Sequence, residues 1–469
     1  MTTIHATRRY RLDWALLPAG WTRDVVATVA DTGMIAEIAV GGPAEEAVRV
    51  AGYVVPGMPN AHSHAFQRAL AGGAECRARA KDSFWTWRRA MYRLANRIDA
   101  ASLRIIATQL FIEMLKAGYT SVAEFHYLHR ARPGAGDTPP VDLALWDALV
   151  AAARDAGIGL TLLPTLYQHA DFGALALRPE QRRFRLGTEE FLDAVGQRIA
   201  AERRSPTPAI CTGAAFHSLR AVSLETIREA AARLRALDPA MPIHIHVAEQ
   251  LLEVRHCERA TGARPIDLLL RSGVLDDRWC LVHCTHATRA ELAGIAAIGA
   301  AVCVSISTEA NLGDGFFDAM RFSGAGGRLC IGSDSQATVD PAEELRWLEY
   351  QQRLRRRRRL LLAGEDEPHV GTTLWRDAAL AGARALGQPV GEIAVGRRAD
   401  WLVLDPDHPT LAGAAPEAAL DHLLFAGGRA AIRDCLVAGR WVIKDGAHRH
   451  EQAAREQFCR LLRDLAAES

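Results

Sequence analysis

The stretch PNAHSHAFQRALAG, residues 59–72, places His62 and His64 two positions apart, directly after an apolar run. In an extended strand, residues i and i+2 share a face, so both imidazoles can aim at one point. Three further strand-like runs end in residues of the same chemistry: His246 and Glu249 in HIHVAEQ, His283 in HCTH and Asp334 in GSDS. Taken singly, His246 fits a satisfied core histidine and Asp334 a helix N-cap. Taken together, His62, His64, His246 and Asp334 make a nitrogen and oxygen shell for zinc with one position open to water. Such an ion lowers the pKa of its water to about 7, so the chemistry to expect is hydrolysis at neutral pH.

The elements that must position these residues repeat. From residue 53 onward, the runs YVVPGMPN, TSVAEF, GLTLLPTL, AICTGAAF, PIHIHV, WCLVHC, AAVCVSI and RLCIGS alternate with helical stretches such as Ala101 to Lys116 and Leu224 to Leu237. Eight βα units close a (β/α)8 TIM-like barrel, whose active site lies where the strands end. Nearly every run is followed by titratable residues, among them Glu124-Phe125-His126-Tyr127, His217-Ser218-Leu219-Arg220 and Ser307-Thr308-Glu309-Ala310-Asn311. Short β-type runs before residue 55, and again in VGRRADWLVLDPDH and DCLVAGRWVIKDGAH, predict a small β-sandwich built from both chain ends. The expected division is 1–55 for the first part of the sandwich, 56–375 for the catalytic barrel, and 376–469 for a last helical segment and the rest of the sandwich.

Composition narrows the function classes. The 469 residues are 49% hydrophobic and carry a formal net charge of +1, so no global field favours nucleic acid or an anionic membrane. The one charge block, Arg355 to Arg359, is followed by Glu365, Asp366 and Glu367 and reads as a solvated face. Nine cysteines, an odd number without a CxxC pair, argue against a disulfide framework and for a reducing cytoplasm. Neither an N-terminal apolar core of a signal peptide nor a run of about 18 apolar residues is present.

With HxH after strand one, HxxE after strand five, His after strand six and Asp after strand eight, the chain resembles the amidohydrolase superfamily over nearly its whole length. Members with two metals bridge them with a modified lysine at the end of strand four. Here that strand ends in AAFHSLR, so the resemblance implies one zinc per chain. The HxxE pattern points to the deaminase-like branch. Within it, PGMPNAHSHAFQRALAG, EFHYLH, FHSLR, HIHVAEQ and STEANLGDGFF are similar to the N-formimino-L-glutamate iminohydrolase family. That likeness implies N-formimino-L-glutamate as substrate, in histidine degradation, and a homodimer as the assembly. One departure is SIST, Ser305 to Thr308, where a Cys-Pro-Thr-Thr type of sequence is expected; it bears on the loop beside the site rather than on the metal shell.

The residues suit such a substrate chemically. Glu249 can take a proton from the attacking water and pass it to the leaving nitrogen. His283 can orient the water or stabilise developing charge, and Asp334 can both ligate and shuttle a proton. Two substrate carboxylates call for bidentate guanidinium groups, and Arg88 and Arg220 lie in the matching segments, with Gln67, Tyr127 and His217 as hydrogen-bonding neighbours. A surface position for Arg88 fits the sequence equally well. The competing readings are a deaminase of a purine, pterin or triazine ring, which calls for aromatic stacking surface, and a non-catalytic barrel with a structural metal.

Overall fold

The computed structural model describes residues 7–42, 46–76, 83–132 and 140–467; the first six residues of the expected N-terminal segment therefore lie outside the described residues. The eight apolar runs form parallel strands in chain order: Met58–Ser63, Tyr119–His126, Gly159–Leu166, the split pair Ile210–Thr212 and Ala214–Phe216, Ile243–Val247, Trp279–His283, Ala301–Val304 and Arg328–Ile331. A parallel strand covered by helices on one side and by the barrel interior on the other is buried on both faces, which is why GLTLLPTL is apolar throughout and wholly buried. The fourth strand breaks at Gly213, where a Cβ atom would lie 2.7 Å from Leu163 and 2.8 Å from the Pro242 carbonyl.

The barrel closes between its first and eighth strands at the residues singled out for chemistry. Ser63 bridges Asp334 in parallel register, the His62 carbonyl accepts from the amides of Ser333 and Asp334 at 3.0 Å each, and the His64 amide donates to the Asp334 carbonyl at 3.1 Å. Gly332 makes that approach possible: a Cβ there would fall 2.7 Å from both Cβ and the carbonyl oxygen of His62.

A second, eight-stranded sheet joins the chain ends. Val48–Pro56 pairs antiparallel with Trp401–Leu404, so that Pro56 faces Trp401, and the sheet continues through Thr7–Leu17, Gly20–Ala30 and Ile35–Val40 on one side and Ile432–Val437, Arg440–Lys444 and Ala447–His448 on the other. It has its own apolar core around Tyr10, Leu12, Val25, Val54 and Trp401. Several contacts tie it to the barrel, two of them through large buried side chains. The fully buried Arg398 forms a two-pronged ion pair with Asp400 and also donates to the Pro208 carbonyl at 3.0 Å. Trp375, on the helix Val370–Leu386, donates its indole N–H to the Pro56 carbonyl at 2.9 Å. Among the described residues no helix is long and apolar enough to cross a membrane.

Candidate active site

His62, His64, His246 and Asp334 converge at the C-terminal end of the barrel. Asp334 Oδ1 lies 3.4 Å from His62 Nε2 and 3.3 Å from His64 Nε2, and His62 Nε2 lies 3.0 Å from His246 Nε2. Backbone carbonyls fix two of the tautomers: His64 Nδ1–H donates to the Phe125 carbonyl at 2.8 Å and His246 Nδ1–H to the His217 carbonyl at 2.9 Å. Each ring therefore presents an Nε2 lone pair to the same point, the arrangement by which a protein prepares imidazoles for a metal. Burial keeps all three rings neutral, pushing His62 down to about 3 and lowering His64 and His246 as well. Burial opposes ionisation of Asp334, but its imidazole neighbours outweigh it and hold the carboxyl below its usual range. Three nitrogen lone pairs and a carboxylate converging on one point fit a divalent metal ion.

Backbone strain marks the same strand ends. His283 and Asp334 adopt left-handed conformations, φ +73° and +45°, as does Ala248, φ +53°, beside Glu249. Non-glycine residues in that region cost about 1–3 kcal/mol each and persist where their surroundings hold them. Here the conformation turns the side chains of His283 and Asp334 into the barrel mouth.

Next to the metal cluster, Glu249 Oε1 lies 3.8 Å from His283 Nε2, which is 4.0 Å from Asp334 Oδ2. His283 also comes within ligand distance of His62 and His246, a proximity that strand order alone did not reveal. Burial raises Glu249 to about 7, so near neutrality it can either accept or give up a proton. Burial works against charge on His283, but Glu249, Glu309 and Asp334 outweigh it and raise the imidazole to about 10.

Above this cluster lies a cavity that opens towards solvent. All five residues expected to meet substrate line it: Gln67, Arg88, Tyr127, His217 and Arg220. Gln67 Nε2 donates to the Tyr127 hydroxyl at 2.8 Å, and the buried Gln67 Oε1 has no partner. The Arg220 side chain is buried with an unpartnered Nε, and among the described ion pairs neither Arg220 nor Arg88 has a carboxylate. Instead the guanidinium of Arg88 lies 4.4 Å from the Trp85 ring and that of Arg220 lies 5.9 Å from the same ring. Burial and the charge of Arg220 lower the pKa of Arg88. Burial opposes charge on Arg220 too, but Glu253, Tyr167 and Glu249 more than offset it. The walls also hold Phe84, Trp87, Tyr92, Tyr167 and Phe184, so aromatic surface, set against arginines in reading the sequence, occurs here together with them.

Sequence reasoning missed the residues that brace this set. Glu124, wholly buried, accepts from the Ser63 hydroxyl at 2.7 Å and the Ala65 amide at 2.6 Å, clamping the turn on which His62 and His64 sit. The departing segment Ser305 to Thr308 leads into the short helix Ile306–Leu312. From it the Thr308 hydroxyl reaches Ser335 Oγ at 3.0 Å, and Glu309 Oε1 lies 3.3 Å from His283 Nδ1. Both acids stood in the polar continuations after strands two and seven, which was the available signal.

Comparison with known proteins agrees with this geometry. Residues 53–442 match the amidohydrolase family. The chain is 51% identical over 466 residues to formimidoylglutamate deiminase of Pseudomonas aeruginosa, covering 99% of this chain and 100% of that one. A crystal structure of an amidohydrolase from Brucella melitensis superposes with a TM-score of 0.89 at 38% identity, covering 98% and 100% of the two chains. The fold is shared, at 22% identity and a TM-score of 0.80 over 98% of each chain, with an adenosine deaminase from Xanthomonas campestris that has zinc bound. The barrel closed at a His/Asp cluster and the match over most of the chain lead to one conclusion: this protein belongs to the amidohydrolase family.

Proposed function

We propose that this protein hydrolyses the formimino C–N bond of N-formimino-L-glutamate, giving N-formyl-L-glutamate and ammonia in histidine degradation. The observation that carries this reading is the pair Arg88 and Arg220, lining the same cavity as the metal cluster and lacking any carboxylate partner among the described residues. A buried guanidinium without an acid is costly to keep, and a substrate with two carboxylates supplies what it lacks. Identity of 51% to a formimidoylglutamate deiminase supports the same substrate.

His62, His64, His246 and Asp334 would hold a single zinc ion, which supplies hydroxide at neutral pH. Glu249 takes a proton from the attacking water and returns it to the nitrogen that departs as ammonia, serving first as base and then as acid. His283 faces the same point through Nε2 and steadies charge as the formimino carbon becomes tetrahedral. Gln67, Tyr127 and His217 hold the substrate by hydrogen bonds while Arg220 and Arg88 grip its carboxylates.

The assembly we propose is a homodimer; Trp347 and Leu354, exposed seven residues apart on the helix Pro341–Arg356, support an apolar contact face. Nine free thiols support a cytoplasmic setting. Residues 56–375 act as the catalytic unit; 1–55 carry the first part of the β-unit, and 376–469 carry a last helical segment followed by the rest of it. Ammonia release from a panel of amidines and aminopurines, with elemental analysis of the purified protein, tests the reading. One zinc per chain and turnover of the dicarboxylate amidine alone are expected. Turnover confined to an aminopurine, or two tightly bound metals per chain, would contradict it.

A further inference from the structure

His283 is held from behind as well as from the metal side. Its Nδ1 lies 3.3 Å from Glu309 Oε1, and the same oxygen accepts the Ser305 amide at 3.1 Å. Glu309 is wholly buried, its other oxygen has no hydrogen-bond partner, and among the described ion pairs His283 is its single cationic neighbour. A buried carboxylate with one side chain to serve is expensive unless that service matters. The helix Ile306–Leu312 that carries it is itself fastened to the eighth strand through Thr308 and Ser335, so the brace is anchored to the segment that presents Asp334.

We propose that Glu309 is a positioning residue for the reaction: by accepting the Nδ1–H of His283, it fixes the ring plane so that Nε2 faces Glu249 and Asp334. His283 needs such help, because its backbone is in the left-handed region and a single-bond rotation would carry the ring out of line. A ring whose Nδ1–H is not engaged is free to turn about its side-chain bonds. The same logic governs the carboxylate behind a catalytic histidine, which orients the ring and stabilises its charged form.

The proposal rests on the reading of His283 given above, and the test separates the two. Glu309→Gln retains an oxygen acceptor for Nδ1–H, whereas Glu309→Leu removes it at similar volume. Loss of an outer partner of this kind costs about 10- to 100-fold. In Glu309→Leu, kcat should fall by that factor with KM and metal content near the wild-type values, and Glu309→Gln should recover most of the loss. In a His283→Asn background, adding Glu309→Leu should cost less than about twofold, because the group it acts through is gone. Full additivity in that cycle would overturn the proposal, as would Glu309→Leu retaining wild-type kcat, or Gln and Leu variants falling equally with loss of metal. Near-wild-type turnover by His283→Asn would instead overturn the reading of His283, and the proposal with it.

Discussion

The two ends of the cavity are built on opposite principles. At the floor, imidazoles and acids crowd together, pinned by backbone carbonyls, by amides or by another side chain, and the nearest arginines stand off. At the upper end, Arg88 and Arg220 share one aromatic ring and have no ion-pair partner among the described residues. The floor offers lone pairs to a cation; the upper end offers guanidinium groups to anions. A molecule that reacts here must therefore bring carboxylates to one end and an electrophilic carbon to the other, and substitutions at the two ends should fail in different ways.

The largest effect belongs to the floor. Glu249→Gln keeps the shape of the side chain but cannot carry a proton, so kcat should drop by about 10²- to 10⁴-fold while the metal stays bound. Elemental analysis beside steady-state kinetics checks this, and a metal-loaded variant with near-full turnover would assign the proton to another group. At the upper end, Arg220→Met should lower kcat/KM by at least about two decades, since breaking a buried charge pair costs about 3–5 kcal/mol. Arg88 is partly exposed, and a charged hydrogen bond of about 1.5 kcal/mol there makes Arg88→Met a roughly tenfold loss, carried mostly in KM. Equal losses for the two arginines would erase the difference drawn between them. The pH profile gives the smallest and most specific signature. Glu249 must be ionised to accept a proton, and burial raises it to about 7, so kcat/KM should fall about tenfold per unit as the pH drops below that value. Arg88→Met should keep this acid limb and Glu249→Gln should flatten it; a limb surviving in Glu249→Gln would point to a different titrating group.

The floor was far more legible in the sequence than its supports. His62, His64, His246, Glu249, His283 and Asp334 sit at strand ends, and strands buried on both faces announce themselves as apolar runs, so their chemistry could be placed by counting. Glu124 stands near the end of the second strand and Glu309 on the short helix after the seventh, but a carboxylate that serves another side chain leaves no spacing pattern to read. Arg88 and Arg220 were named from their segments, but the aromatic wall they share was not. Arg88 and Trp85 lie on the helix Phe84–Ala95, within the connection between the first and second strands, and only the folded chain swings that helix over the barrel mouth beside Arg220. The closing register, Ser63 beside Asp334, depends on Gly332 meeting His62, a contact between residues about 270 positions apart that no local pattern encodes.

The central claim is that the upper end recognises substrate carboxylates and takes no part in the bond cleavage below. It is tested most directly by measuring kcat/KM for the wild type and Arg220→Met with N-formimino-L-glutamate and with an amidine that lacks the contacted carboxylate. The expected result is a loss of about two decades or more with the dicarboxylate and little change with the truncated amidine, because the wild type then gains nothing from the arginine. A loss by the same factor with both substrates would make Arg220 a support of the fold and would contradict the account.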